Sequence, residues 1–533
     1  MPTKFHQLIL DTAYNNPNAL ALQHKNEKLS YQQLASIIRQ AALGLVDGDN
    51  PLLPLQRVAI YLPKQFESVI AMFATTLAGG VFVPVNPLLK PKQVSYLLVN
   101  SQASVLITSF TRFKKLQIEI QDVSATNRII LTNCPEEQCP TGCSRWEDLV
   151  LETFNESTSN TCFPSSDANK MAALLYTSGS TGRPKGVVLS HTNLVEGAKS
   201  VASYLNNTSD DKLLAVLPFS FDYGLSQLTT AFLTGASVVL LEYLLPRDVI
   251  NAIAKFQITG LAAVPPLWIQ LASLEWPNEA RQNLRYFTNT GGAMPKATLE
   301  QLQQQLPNTI PFLMYGLTEA FRSTYLDPKE VNNRPSSIGK AIPNAEIFVI
   351  NDHGEICLAE EEGELVHKGV HVSLGYWQAA EKTAEKFRPL PINLQPQFGS
   401  GIAAWSGDRV KKDRDGFIYF IGRKDDLIKS SGYRISPSEL EELLYSHSSI
   451  DEVAALGLPH ERLGQGILLV IKPTNEEDFN QKQLIQFCKQ NLPNYMQPHA
   501  IELLNSLPRN PNGKINRTLL SQNYANLFES KLD

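Results

Sequence analysis

Residues 174–191 read LLYTSGSTGRPKGVVLSH, and from Thr177 to Gly186 the stretch holds three glycines, four Ser/Thr hydroxyls, one proline and two cations. Backbone N–H groups around glycines form anion nests, hydroxyls add donors, and Lys185 adds charge, so the chemistry suits a phosphate. It is not a Walker loop. That motif needs glycine five residues after its first, and counting from Gly179 the position is Pro184. Three other stretches carry charge in turn-like settings: Thr318 and Glu319 in MYGLTEA, Asp408 in WSGDRV, and Lys514 in NPNGKINR. Taken singly, each has a bland reading: a flexible Gly/Ser loop, a turn aspartate, a solvated turn lysine.

The elements that must position these residues fall into an order. RVAIYL, VFVPV, SVLIT and RIILT alternate with helix-like segments, the pattern of an α/β domain with much parallel sheet. The pattern repeats over 171–350 with MAALLY, KLLAVL, SVVLLEY, LAAV and IFVI as strands. Between them, 133–169 reads as a surface excursion. Over 363–421, short Gly-punctuated aromatic runs indicate antiparallel β structure. Beyond GRKDDLIKSSGYRI, a helix capped by Ser436 with Glu439 at capping-box spacing opens a small α+β module.

The 533 residues exceed one hydrophobic core, so at least two domains are expected. A net charge of −5 gives no basic surplus for nucleic acid. The N-terminus lacks a signal peptide's apolar core. The uncharged run 223–241 is split by Gly235 and reads as buried helix, turn and strand, not a membrane span. Cys134, Cys139 and Cys143 lack zinc-like spacing and read as thiols in a polar loop. A cytoplasmic location follows.

Together, in chain order, the motifs resemble those of the adenylate-forming superfamily of acyl-CoA synthetases, nonribosomal peptide adenylation domains and luciferases. LSYQQLA (29–35) and LAGGVFVPVNP (77–87) resemble its early motifs, TSGSTGRPKG its signature loop, and MYGLTEA its Y-G-x-T-E motif. GELVHKGVHVSLGYW, WSGDRV (with Ser406 for threonine), IGRKDDLIK and NPNGKINR follow. The resemblance implies an N-terminal domain, 1–423, of two α/β subdomains with parallel-rich sheets plus a distorted β-barrel. It implies a C-terminal α+β lid, 424–533, rotating at a hinge on Asp425. It also implies ATP and Mg²⁺. Thr177, Ser178, Gly179, Ser180, Thr181, Gly182 and Lys185 would cradle the β- and γ-phosphates. Gly291, Gly292 and Ala293 would run along the adenine, and Tyr315 would stack on it. Thr318 would touch the α-phosphate, Glu319 hold Mg²⁺, Asp408 take the ribose hydroxyls and Arg423 support them. Lys514 would bridge substrate carboxylate and α-phosphate. The barrier is that between two anions, which preorganised donors and cations lower.

FDYGLSQLTTAFLTGA (221–236) resembles amino-acid-activating domains, in which an aspartate at the position of Asp222 receives the substrate ammonium. Tyr223, Ser226, Ala263, Thr288, Thr290, Met314, Arg322 and Ser323 carry over to the pocket. The resemblance points to an amino acid, L-proline first, loaded as a thioester onto a separate holo carrier protein by a stand-alone enzyme. The alternative is an acyl-CoA or fatty acyl-AMP ligase; a degenerate nucleotide sensor is a third reading. Arg322 leaves three options: pairing with Asp222, lying outside the pocket, or reading an acidic substrate.

Overall fold

A computed structural model describes residues 2–47, 50–121, 123–151, 163–164, 167–177, 184–423, 426–430, 433–460 and 463–528. Ser178, Gly179, Ser180, Thr181 and Gly182 of the signature loop, and the hinge candidate Asp425, lie outside them.

The first sheet has seven strands, with Arg57–Tyr61 and Val81–Pro84 at its centre. Its pairings are parallel until Met171–Thr177 meets Lys185–Ser190 in an antiparallel hairpin. The β-branched run VVL of the return strand and the apolar AALL before it bury on both faces, as strands between helical layers must. The strand Met171–Thr177 therefore completes the first sheet instead of opening the second repeat. Cys134 is buried, and Cys139 and Cys143 pack against its cluster, so these thiols line core where a polar loop was expected.

A second sheet of fourteen strands carries the rest of the large domain. Its parallel part includes Lys212–Ala215, Ser237–Leu240, Gly260–Ala263, Tyr286–Asn289 and Ile310–Tyr315. From Ile310–Tyr315 it turns antiparallel through Thr324–Tyr325, Ser337–Ala341, Ile418–Arg423, Ile402–Lys412, Glu362–Gly369 and Ala345–Ile350. Among the described residues this part stays open, so the distorted barrel is an antiparallel extension of the sheet and not a closed barrel. IFVI sits at its far end, outside the parallel repeat where the sequence pattern placed it, because Ala345–Ile350 pairs only with Glu362–Gly369 in the strand order.

Helix Asp222–Thr234 is buried along almost its whole length and ends on Gly235 at φ +78°, before strand Ser237–Leu240. This is the buried helix, turn and strand expected of 223–241. No helix among the described residues is long and apolar enough to cross a membrane.

A separate five-stranded sheet contains Ile428–Ser430, Ile450–His460, Gly464–Pro473 and Ala500–Leu503. Ser436 caps helix Pro437–Tyr445 by accepting from Glu439 N at 3.3 Å, one half of the expected capping box. This unit touches the large one at several points. Lys296 N donates to Glu442 Oε1 at 2.9 Å and Asn86 Nδ2 to the Pro511 carbonyl at 2.9 Å.

Candidate active site

Lys514 rides a tight turn. Asn510 Oδ1 accepts from Asn512 N and Lys514 N, each at 3.0 Å, and Gly513 takes φ +82°, which glycine adopts without strain. The Asn86–Pro511 contact docks this turn on the large domain, and Lys514 Nζ reaches to 5.6 Å from the Phe221 ring. Gly291, at φ +84°, lies beneath it: a Cβ there would stand 3.2 Å from Lys514 Cε. Burial lowers the Lys514 pKa below the ordinary lysine value, with Asp222 opposing.

On one side of Lys514 is a group of polar side chains drawn from two strand ends (Tyr315, Arg423), the middle of strand Ile402–Lys412 (Asp408) and the 3-10 turn Thr318–Ala320 (Glu319). Tyr315 closes strand Ile310–Tyr315, and its hydroxyl donates a short hydrogen bond to Asp408 Oδ2. Arg423 ends the strand paired with that of Asp408, and its Nε lies 3.4 Å from Asp408 Oδ1. Asp408 Oδ1 is buried and has no hydrogen-bond partner among the described residues, an acceptor fitted to ligand hydroxyls. Burial raises the Asp408 pKa against the pull of Arg423 and Tyr315. Glu319 Oε1 accepts from the Tyr376 hydroxyl at 2.6 Å, and Lys185 Nζ lies 5.5 Å from the centre of the Tyr376 ring. Thr177 and Lys185 face each other as the last pair of their hairpin strands, and Lys185 stands beside Tyr376. Gly292 and Ala293 follow Gly291 on an exposed bend.

On the other side is a small cavity. Tyr223, Ser226, Gln227, Thr230, Met314 and Arg322 line it, and its free space is about 20 Å³, room for one water. Beside Tyr223, a Cβ at Gly224 would stand 2.1 Å from the Pro218 carbonyl oxygen, so LPFSFDYG folds back on the first turn of the helix only with glycine. Asp222 and Arg322 are both buried, and Arg322 Nη1 donates to Asp222 Oδ2 at 3.0 Å. Thr318 Oγ1 lies 3.4 Å from Asp222 Oδ1, joining the two sides. Arg322 thus takes the first of its three options. The Tyr223 hydroxyl shares a 2.5 Å contact with Thr288 Oγ1. Thr290 is buried beyond strand Tyr286–Asn289 but does not line this cavity; nor does Ala263. Ser323 turns away to His367, its Oγ 2.9 Å from Nδ1.

Two residues not foreseen belong to the polar group. Tyr376 lies inside a recognised segment, but only its bond to Glu319 gives it a place. Lys386, from helix Ala380–Lys386, donates a short hydrogen bond to the Ser406 carbonyl beside Asp408, and nothing in TAEKF signals that.

The profile described as AMP-binding enzyme matches residues 9–377, and that described as AMP-binding enzyme C-terminal domain matches 439–514. A long-chain-fatty-acid–CoA ligase of Bacillus subtilis is 28% identical, over 99% of this chain and 96% of the ligase. Tyrocidine synthase 1 of Brevibacillus parabrevis is also 28% identical, over 97% of this chain but 45% of the synthase. The chain spans only 8% of bacitracin synthase 3 from Bacillus licheniformis, at 27% identity. Among solved structures, o-succinylbenzoate CoA synthetase of B. subtilis in complex with its acyl-adenylate superposes with a TM-score of 0.81 at 25% identity, over 96% of this chain and 97% of that one.

Proposed function

Because the chain belongs to the AMP-binding enzyme family and is by class an AMP-forming acid–thiol ligase using ATP and Mg²⁺, we propose that it activates a small carboxylic acid lacking a free ammonium group and passes the acyl group to CoA. The carrying observation is the buried Arg322–Asp222 pair. An ammonium binding at Asp222 would share one carboxylate with the guanidinium, leaving a net positive charge in a buried site, which is costly. CoA is supported as acceptor by the CoA ligases among the relatives, the B. subtilis long-chain-fatty-acid–CoA ligase and o-succinylbenzoate CoA synthetase.

In this reading a carboxylate oxygen of the acid attacks the α-phosphorus, the bond to the β-phosphate oxygen breaks and pyrophosphate leaves. A thiolate then adds to the acyl carbonyl and AMP departs. Lys514 sits between the two anions of the first step. Thr318 contacts the α-phosphate, and the 177–185 hairpin loop holds the leaving pyrophosphate. Asp408 Oδ1 takes the ribose hydroxyls, with Tyr315 and Arg423 fixing its carboxylate; Gly291, Gly292 and Ala293 follow the base. Glu319, one oxygen fixed by Tyr376, would hold Mg²⁺, which would supply charge neutralisation on the phosphates. Residues 424–533 form a lid that hinges near Asp425 between the two steps.

The second reading, L-proline loaded onto a holo carrier protein, is favoured by Asp222 itself, a buried carboxylate bonded to Arg322 of the cavity wall. ATP–pyrophosphate exchange across the amino acids and a panel of short carboxylic acids separates the two. We expect exchange with non-amino acids, and thioester formation with CoA. Exchange confined to amino acids, and lost in Asp222→Ala, would overturn the first reading.

A further inference from the structure

We infer that the far end of the acyl cavity is a recognition site for an uncharged polar oxygen, so that the substrate is a short hydroxy- or oxo-carboxylic acid; this rests on the proposed non-amino-acid ligase reading and narrows it.

The first observation is how Arg322 is aimed. Phe321, the residue before it, has φ 56° and ψ −58°, and Arg322 N donates to the Ala320 carbonyl at 2.6 Å. That is a γ-turn of the strained hand, rare for any side chain and strained for an aromatic one. The Phe321 ring fills the space over Gly197, where a Cβ would come within 2.4 Å of it. The surroundings therefore hold the turn in place, and its effect is to send Arg322 back into the cavity wall. There the guanidinium stacks 4.8 Å from the Tyr223 ring centre.

The second observation is what Arg322 leaves unused. Nη1 is spent on Asp222 and on the Phe321 carbonyl, while Nε and Nη2 are buried with no partner among the described residues. Gln227 Oε1 and Thr230 Oγ1, on the same cavity, are likewise buried and unpartnered. Four unused polar atoms around one small cavity are far from the usual near-complete pairing of buried groups. They offer donors from Arg322, an acceptor from Gln227 and both from the Thr230 hydroxyl.

Charge decides what they accept. Asp222 already neutralises Arg322, so a second carboxylate would bring a net negative charge into the buried site, and an ammonium would bring a net positive one. A hydroxyl or carbonyl uses the free atoms without either cost. The remaining walls, such as Val201, Leu205 and Leu213, give an apolar surround for a short carbon chain.

The test is pyrophosphate exchange by the full chain with butanoate, pentanoate and hexanoate, each beside its hydroxy, oxo, amino and carboxy derivatives, and L-proline. We expect a hydroxy or oxo acid to exceed its plain parent in kcat/KM by about 100-fold, the scale of one or two hydrogen bonds to a charged donor. Thr230→Val and Gln227→Leu should each shrink that ratio by about tenfold. A plain or dicarboxylic acid ranking first overturns this inference alone. An amino acid ranking first overturns the ligase reading beneath it as well. An unchanged ratio in both variants would remove the assigned contacts.

Discussion

The two sides of the site meet at Thr318 and are built on opposite plans. The side around Asp408 and Glu319 gathers charges from a strand and a short helical turn: each carboxylate has one oxygen held by a tyrosine hydroxyl, and Arg423 remains about half exposed at 54%. The side around Arg322 is shut, with the guanidinium and its carboxylate at 2% and 4% exposure and several polar atoms idle. With Arg423 half open and Glu319 partly exposed beside the buried Asp408, this side can exchange water for a nucleotide. A closed ion pair with spare donors can only choose among occupants. The first side is suited to binding what every turnover shares, the second to discriminating between acids.

The largest expected effect tests whether Lys514 serves both sides. Lys514→Ala should lower adenylation by about 10²–10³-fold, the scale for losing one preorganised donor to developing charge. The ranking of acids should not change, because Lys514 lies over Phe221 and Gly291 and not on the cavity. Pyrophosphate exchange with the panel above measures both, and a reordered ranking would join the two sides into one. Since burial lowers its pKa, the ammonium form is lost as pH rises, at a lower pH than for an ordinary lysine. The alkaline limb of the adenylation profile should therefore fall short of 10.5.

Asp408→Asn is next. It exchanges a doubly accepting carboxylate for an amide beside Tyr315 and Arg423. A hydrogen bond to a charged group contributes about 1.5–3 kcal/mol, so the KM for ATP should rise by about 10–100-fold. The preference between acids should hold. Initial rates over an ATP series at saturating acid decide it, and an unchanged KM would remove Asp408 from the nucleotide side.

The same division runs through what the sequence made legible. Thr318, Glu319, Asp408 and Lys514 stand out in short motifs of fixed residue types, and the strand and turns that carry them are set by local pattern. The acyl side depended on facts with no local signature. Phe321 takes its strained conformation because Gly197, on a helix more than a hundred residues earlier, leaves room for its ring. Arg322 meets Asp222 only when strand Ile310–Tyr315 and helix Asp222–Thr234 are packed together. The role of strand Met171–Thr177 was hidden for a similar reason: a buried apolar run fits either sheet, and only the pairing with Val81–Pro84 decides.

The smallest effect concerns how dry the acyl side's support is. Ser323, next to Arg322, is held by His367 Nδ1, and His367 is fully buried on strand Glu362–Gly369 near the equally buried His371. Burial, helped by His371, pushes the His367 pKa down to about 3, so the ring is neutral in the folded chain at neutral pH. The unfolded chain takes up a proton below pH 6.5 while the folded one does not, so unfolding is favoured progressively as pH falls from 6.5 towards 3. At pH 5 the loss from this residue is about 2 kcal/mol, at 1.36 kcal/mol per unit. His6 and His191, a second buried pair with pKa values near 3 and 4, add to the same acid slope far from the site. Chemical unfolding between pH 7 and 5 should show a slope reduced by about one proton in His367→Asn. If the slope is unchanged, water reaches His367, and the contrast between a wet nucleotide side and a dry acyl side fails where it is sharpest.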